Sequence, residues 1–242
     1  MPTSQNIRDF YEDRYRSQKE KNPAFHIYDD LRVKRIRELA QNCQGPVLIV
    51  GCGSNRDYTI VPAGIVVYAF DLSYEAVRNA RANDAFLFAG DALSIPAPAE
   101  SFGLVICSEV LEHIPDIHRA ISELRRVLRK DGILIVSSPN WNSWFGLARW
   151  VSESLTKKKV HSDDQPYDDW KTLQKFRSEL SPGFDVTQAR GVWYLPPMHF
   201  RKRGAPAWLT RSIYFLFSPF ERVFSKLLPG YGHMLVLQCR PK

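Results

Sequence analysis

The sequence predicts an α/β fold in which a mostly parallel sheet binds a ligand at the carboxyl ends of its strands. Residues 46–50 are almost wholly apolar, as in a buried parallel strand, and break into the turn Gly51-Cys52-Gly53. A second apolar run, residues 65–70, ends in Asp71, twenty positions after Gly51. At that spacing an acidic side chain reaches a ribose. The candidate ligand-binding residues are therefore Gly51, Cys52, Gly53 and Asp71.

The glycine turn favours a nucleoside without phosphates over a dinucleotide. Arg56 stands where the third glycine of a G-x-G-x-x-G motif would lie, and its bulk would obstruct a pyrophosphate and close helix packing. A dinucleotide-dependent oxidoreductase is therefore the less favoured alternative. Residues 57–61 leave room only for a short helix, because Pro62 cannot continue one.

The remaining elements follow from periodicity and capping. Residues 6–41 have apolar positions at helical spacing, Ser73 caps a helix to about residue 82, and Asp116 begins a third helix that Asp131-Gly132 should stop. A further helix is predicted at 170–180. The later strands are predicted at residues 85–89, 104–107, 133–136, 184–194 and 234–239.

These segments together resemble the class I S-adenosylmethionine-dependent methyltransferases, and within that class the methyltransferase type 11 group. The resemblance covers residues 46–140 and includes the glycine turn and Asp71. Its other parts are Gly90-Asp91-Ala92, residues 101–114 and residues 124–132. It implies a Rossmann-like sheet of seven mostly parallel strands, in the order 3-2-1-4-5-7-6, with helices on both faces and a helical insertion between strands 6 and 7.

The resemblance also implies how the chain is divided. Residues 1–242 would form a single methyltransferase domain, in which residues 1–45 are a helical lid and residues 46–140 the cofactor-binding core. The acceptor side would be residues 141–242, with the insertion at 195–232.

The implied cofactor is S-adenosyl-L-methionine. The residues expected to bind it are Gly51, Cys52, Gly53, Asp71, Leu72, Asp91, Ala92, Ser108 and Tyr15. Two of these have an alternative interpretation from the residues themselves. Asp91 could cap a helix instead, and Tyr15, like Tyr11 one turn earlier, could simply face a core.

Methyl transfer from a sulfonium needs little covalent chemistry, because the methyl group is already activated. The protein must hold methyl and acceptor in line, and a base is required only if the acceptor loses a proton. His113 is the catalytic candidate, since it lies beside the end of the fourth strand. Orienting the loop is its alternative role, and His161 and His199 are other candidate bases.

Composition excludes several classes of protein. The four cysteines are widely spaced, so neither a metal site nor a disulfide framework is predicted, and a cytoplasmic location is expected. No apolar run is long enough to span a membrane. Residues 1–197 contain 25 basic and 25 acidic residues, so the net charge of +7 arises entirely from residues 198–242. We expect no nucleic-acid partner.

The insertion at 195–232 is predicted to contain two short amphipathic helices. Leu209, Ile213 and Leu216 have helical spacing, and Ser218-Pro219 looks like the start of the second helix. The helices could roof an acceptor pocket or rest on an anionic membrane surface. The expected function is methyl transfer to a small-molecule or lipid-linked acceptor. A non-catalytic nucleoside-binding protein of the same fold is the alternative.

Overall fold

A computed structural model describes residues 2–17, 25–41, 43–53, 56–80, 85–157, 165–195 and 207–242. Within these residues the strands are β1 (Val47–Val50), β2 (Val67–Asp71), β3 (Ala85–Ala89), β4 (Phe102–Ser108), β5 (Leu128–Pro139), β6 (Phe184–Val192) and β7 (Met234–Pro241). They form one sheet in the order 3-2-1-4-5-7-6. β7 runs antiparallel to β5 and β6, and the other pairs are parallel. The predicted Rossmann-like sheet is confirmed.

Helices cover both faces of this sheet. They are α1 (Ser4–Arg16), α2 (Phe25–Leu39), α3 (Tyr74–Asn79), α4 (Ile117–Val127), α5 (Trp144–Thr156), α6 (Leu173–Leu180) and α7 (Ala207–Leu227). The side chains of β1 alternate between two core clusters: Leu48 and Val50 pack with residues of α4 and α6, whereas Val47 and Ile49 pack with residues of α2 and α7. All four are buried, which explains why the strand is a continuous apolar run rather than an alternating one.

The parallel strands place the predicted ligand residues along one edge. Gly51 follows the end of β1, Asp71 ends β2 and Ser108 ends β4. The backbone N–H of Gly90, just after β3, donates to the carbonyl of Asp71 over 2.9 Å. The carboxyl ends of four strands therefore meet at this edge, where open parallel sheets bind their ligands.

The predicted end of the third helix is wrong. The sequence pattern places a stop at Asp131-Gly132, but α4 ends at Val127 and β5 begins at Leu128. The reason is strand pairing, because Leu128 already lies beside Phe102 of β4, and the register then shifts before the two strands pair continuously. Other boundaries move by smaller amounts.

The prediction of two short helices in the insertion is also wrong, because α7 is a single helix of 21 residues with Pro219 inside it. A proline removes one backbone donor and leaves the carbonyl four residues earlier without its helical partner. Here that carbonyl belongs to Phe215, and the Ser218 hydroxyl donates to it over 2.8 Å. Ser218 thus repairs the interior of a helix instead of capping the start of one.

Candidate cofactor and acceptor site

The glycine turn adopts a backbone that requires glycine at both ends. Gly51 has φ +70° and Gly53 has φ +41°, in the left-handed region that other residues rarely enter. A Cβ atom on Gly51 would collide with the Val110 side chain, and one on Gly53 would lie 2.6 Å from the hydroxyl oxygen of Tyr15. Both positions are therefore in close contact with a side chain, Val110 or Tyr15, and only glycine fits at either end of the turn.

Asp71 is bound to this turn through its carboxylate. One oxygen accepts the backbone N–H of Gly53 over 2.9 Å, and the other accepts that of Ser73 over 3.0 Å. Burial raises the pKa of Asp71, although the N–H groups of Ser73, Gly53 and Leu72 stabilise the anion and oppose that rise. A carboxylate offers about four acceptor positions, so its acceptor capacity is not exhausted and ribose hydroxyls can also bind to it.

Helix α1, part of the predicted lid, is held next to Asp71 by Glu12. Its carboxylate accepts the backbone N–H of Tyr74 over 2.7 Å, that of Glu75 over 3.0 Å and the hydroxyl of Ser73 over 3.1 Å. Burial alone would raise the pKa of Glu12, but these three hydrogen bonds outweigh it and lower the pKa. Glu12 thus binds the first turn of α3, where backbone donors are otherwise unpaired.

We expect Glu12→Gln to loosen the lid. Replacing a charged cap costs about 1 kcal/mol, which is about fivefold in an opening equilibrium. Hydrogen exchange of the α1 amides should speed up by that factor. Asp13→Asn is the matched control, since Asp13 loses the same charge on the same helix but pairs only with exposed Arg16 over 3.4 Å. Equal exchange rates in the two variants would show that Glu12 is not the anchor.

Two tyrosines of α1 connect the glycine turn to His113. Tyr15 lies over Gly53 and stacks on Tyr11, with 6.4 Å between ring centroids. The Tyr11 ring in turn meets the His113 ring edge-on at 6.2 Å. Burial raises the pKa of both phenols, so they stay neutral. The structure therefore brings together Tyr15, Gly53 and His113, which are predicted site residues from three separate segments.

His113 is held in one tautomer. Its Nδ1 atom lies 3.1 Å from the carbonyl oxygen of Tyr167, which can only accept, so Nδ1 carries the proton and Nε2 has a free lone pair. Burial lowers the pKa of His113, while the Tyr167 carbonyl and Asp168 oppose that effect. The imidazole is therefore neutral and available as a proton acceptor. The sequence contains no signal that pointed to Tyr167.

Glu112 is a buried carboxyl group beside His113. It is 1% exposed, and neither of its side-chain oxygens has a hydrogen-bond partner among the described residues. Nε2 of His113 lies 3.9 Å from Oε1 of Glu112, which is beyond hydrogen-bond distance. Burial, and then the neighbouring Glu109, raise the pKa of Glu112 well above its ordinary value. Burial therefore favours the protonated form of Glu112, which lies just beyond the end of β4.

Arg32 of α2 holds the end of β4. Its guanidinium contacts the Ser108 hydroxyl and pairs with Asp57 over 2.9 Å and with Glu109 over 2.9 Å. Ser108 is also 2.7 Å from the hydroxyl of Ser137 on β5. Ser108, predicted to bind cofactor, is therefore part of a buried polar network. Arg32 gave no signal in the sequence, because it stands beside an ordinary apolar stripe.

The other predicted cofactor residues lie near the same edge. Asp91 accepts the backbone N–H of Leu93 over 2.9 Å, as a local cap does, and Ala92 is buried in the core. Cys52 is buried, and burial raises the pKa of its thiol to about 12. Leu72 contributes its backbone N–H to Asp71. Their contact with a cofactor stays a prediction, and His161 and His199 lie outside the described residues.

The arrangement fits S-adenosylmethionine. The glycine turn lies at the ligand edge of the sheet, Asp71 has acceptor positions left for ribose hydroxyls, and Tyr15 of α1 lies over Gly53. No group of three or more metal-binding side chains occurs in the described ranges.

Comparison with known proteins supports this assignment. Residues 48–136 match the family model described as a methyltransferase domain. The ubiquinone biosynthesis O-methyltransferase of Bordetella avium is 26% identical over 183 residues, which cover 71% of this chain and 75% of that protein. An uncharacterized protein of Methanocaldococcus jannaschii, MJ0638, is 26% identical over 192 residues, which cover 79% of this chain and 76% of that protein.

The fold has counterparts among solved structures. Magnesium protoporphyrin IX methyltransferase from Synechocystis PCC 6803, with bound SAH, has a TM-score of 0.64 and 16% identity, covering 99% of this chain and 100% of that one. At that identity the likeness shows the fold alone, and the family model supplies the sequence evidence. Residues 48–136 therefore match a methyltransferase domain, and the fold of the chain is that of S-adenosylmethionine-dependent methyltransferases.

Proposed function

We propose that this protein methylates a hydroxyl group of a small-molecule acceptor, with His113 as the general base. The observation that carries the proposal is the hydrogen bond between Nδ1 of His113 and the Tyr167 carbonyl, 3.1 Å long. It directs the unprotonated Nε2 away from the backbone. A hydroxyl acceptor must lose its proton during transfer, whereas a group that keeps its protons needs no base.

Bound S-adenosylmethionine would supply an activated methyl group. The role of the protein is to hold the two reactants and to accept one proton from the acceptor. Gly51, Gly53 and Asp71 bind the nucleoside, and Tyr15 and Tyr11 of the lid exclude water. His113 then accepts the acceptor's proton at Nε2. Orienting two reactants in line accounts for most of the rate that such an enzyme needs.

The acceptor side is suited to an apolar or aromatic molecule. His233 is buried between rings that follow β5 and β6: the Phe145 centroid is 3.9 Å away and the Trp193 centroid 5.3 Å away, both stacked. We infer an acceptor with a substantial apolar part, including lipid-linked molecules. The relative from Bordetella avium, by its name, is an O-methyltransferase of ubiquinone biosynthesis. That name supports hydroxyl methylation.

A methyl-transfer assay tests this choice. The purified chain would be given methyl-labelled S-adenosylmethionine and matched aromatic acceptors bearing a hydroxyl, an amine or a carboxylate, each with and without a prenyl chain. We expect transfer to the hydroxyl acceptors, with a higher kcat/KM for the prenylated ones. Preferential transfer to amines or carboxylates would contradict the proposal. Cofactor binding without transfer to any acceptor would favour a nucleoside-binding protein.

A further inference from the structure

Helix α7 is apolar on the face that points away from the core. Its inner face is marked by Tyr214, Glu221 and Ser225, which are 6%, 2% and 0% exposed. The opposite side, here termed the outer face of α7, carries Leu216, Phe220, Val223 and Leu227. These four side chains are between 50% and 73% exposed. A surface helix normally places polar residues there, so this face is suited to a partner outside the chain.

The same helix presents only positive charge to solvent among its described side chains. Arg222 and Lys226, four positions apart, are exposed beside the apolar row. Glu221, the single acidic residue of segment 198–242, points inward and accepts the backbone N–H of Trp193 over 2.8 Å and that of Tyr194 over 3.3 Å. The segment contains eight basic residues. Among the described side chains of α7, no acidic one lies on the outer face beside Arg222 and Lys226.

Helix α5 presents a second apolar surface. Its exposed large apolar side chains are Trp144, Leu147, Trp150, Val151 and Leu155. Its one arginine, Arg149, is buried and paired with Asp168 over 2.9 Å. Aromatic and aliphatic side chains without charge are what a helix needs to enter the boundary of a bilayer, and tryptophan favours that boundary.

Both helices adjoin the acceptor edge of the sheet. α5 begins shortly after the carboxyl end of β5, and α7 leads through the short turn Pro229–Tyr231 into β7. The Asn140 side chain, just beyond β5, donates to the carbonyls of Gly230 and Gly232 over 2.7 and 2.8 Å. The two apolar surfaces are thus attached to the end of the sheet where an acceptor would enter.

We propose that α7, together with α5, docks on the surface of a bilayer containing anionic lipid. Apolar side chains flanked by basic ones match both the acyl boundary and the negative headgroups. A second copy of this chain fits less well, because a two-fold contact would bring Arg222 and Lys226 towards their own counterparts. None of the helices that the structure describes is long and apolar enough to cross a membrane, so α7 lies in the interface plane.

Flotation with lipid vesicles tests the docking directly. The full chain would be mixed with vesicles of pure phosphatidylcholine, or with vesicles in which about one lipid in three is anionic phosphatidylglycerol. We expect flotation with the anionic vesicles at low salt and release at high salt. Arg222→Gln with Lys226→Gln should weaken partitioning about 30-fold, since each basic residue near the surface adds roughly a fivefold factor. Leu216→Ser with Leu227→Ser should weaken it at least as much.

Matched variants elsewhere control for charge and apolarity. Lys130→Gln with Arg78→Gln removes the same charge from other exposed positions, and Val66→Ser with Phe86→Ser removes exposed apolar side chains near the β3 edge of the sheet. These variants should float like the wild type. Methyl transfer to a water-soluble acceptor should be equal in all of them, so a failure of docking can be told apart from a failure of the proposed reaction.

Several results would overturn the proposal. They are an intact chain that stays in solution at low salt, equal flotation with pure phosphatidylcholine, and control variants that lose binding as strongly as the α7 variants. Sedimentation without lipid tests whether a second copy of the chain binds the outer face of α7 instead. If the chain is dimeric and Leu216→Ser with Leu227→Ser makes it monomeric, the outer face of α7 binds a second copy, and the membrane assignment is wrong.

Discussion

His113→Asn should lower kcat by about 10²- to 10⁴-fold, the usual contribution of a positioned general base. Asparagine can still donate from its side-chain amide to the Tyr167 carbonyl, so the turn that carries residue 113 should keep its place. What the variant lacks is the free lone pair of Nε2. Cofactor affinity, measured by calorimetry, should stay within about twofold of the wild type, because Asp71 and the glycine turn are unchanged.

The pH profile separates a base from a positioning residue. His113 acts only when neutral, so kcat should rise with pH through its pKa and then level off. Burial lowers that pKa from the ordinary 6.5, which moves the rise to a more acidic pH. The variant should lose this rise altogether. Glu112→Gln is the control, since a neutral carboxyl replaced by an amide should leave the profile in place. A full drop in kcat with an unchanged profile would assign His113 a positioning role.

Asp71→Ala should weaken binding of S-adenosylmethionine by about 2 to 4 kcal/mol, or roughly 30- to 1000-fold in Kd. The estimate takes two hydrogen bonds from ribose hydroxyls to a charged acceptor, partly replaced by water. The carboxylate also holds the Gly53 and Ser73 N–H groups, so part of the loss comes from a looser glycine turn. Isothermal titration calorimetry measures the change, and thermal unfolding verifies that the variant is folded.

Ser73→Ala controls for the structural part of that effect. The Ser73 hydroxyl accepts the backbone N–H of Ala76 over 3.1 Å and so caps α3. Removing it should cost about 1 kcal/mol of stability and one of the three contacts to Glu12, but the Asp71 carboxylate and its bond to the Ser73 N–H remain, so affinity should change little. Unchanged affinity in folded Asp71→Ala would refute the ribose assignment, and equal losses in both variants would reduce Asp71 to a structural role.

Local sequence patterns are enough to identify the sheet and its ligand edge. Buried parallel strands are continuous apolar runs, and a chain that turns sharply beside a ligand uses glycine. Both β1 and Gly51-Cys52-Gly53 can therefore be recognised from the local sequence. The acid at the end of β2 follows at a fixed distance, which identifies Asp71. His113 stands out for a similar reason, since it lies in the short segment beyond the end of the fourth strand. The resemblance then supplied the strand order that these pieces imply.

The side chains that hold this edge together can be identified only in the folded structure. Glu12 meets Tyr74 across 62 positions of sequence, and His113 meets the Tyr167 carbonyl across 54. Helix α7 is a second case in which the local sequence was not sufficient. Its pattern at Pro219 predicts the start of a new helix, whereas α7 continues through that residue. The helix continues because Ser218 repairs the lost hydrogen bond and Glu221 binds backbone N–H groups of residues 193 and 194. A local pattern records the conformation a segment prefers, whereas these contacts depend on surfaces that meet only after the chain has folded.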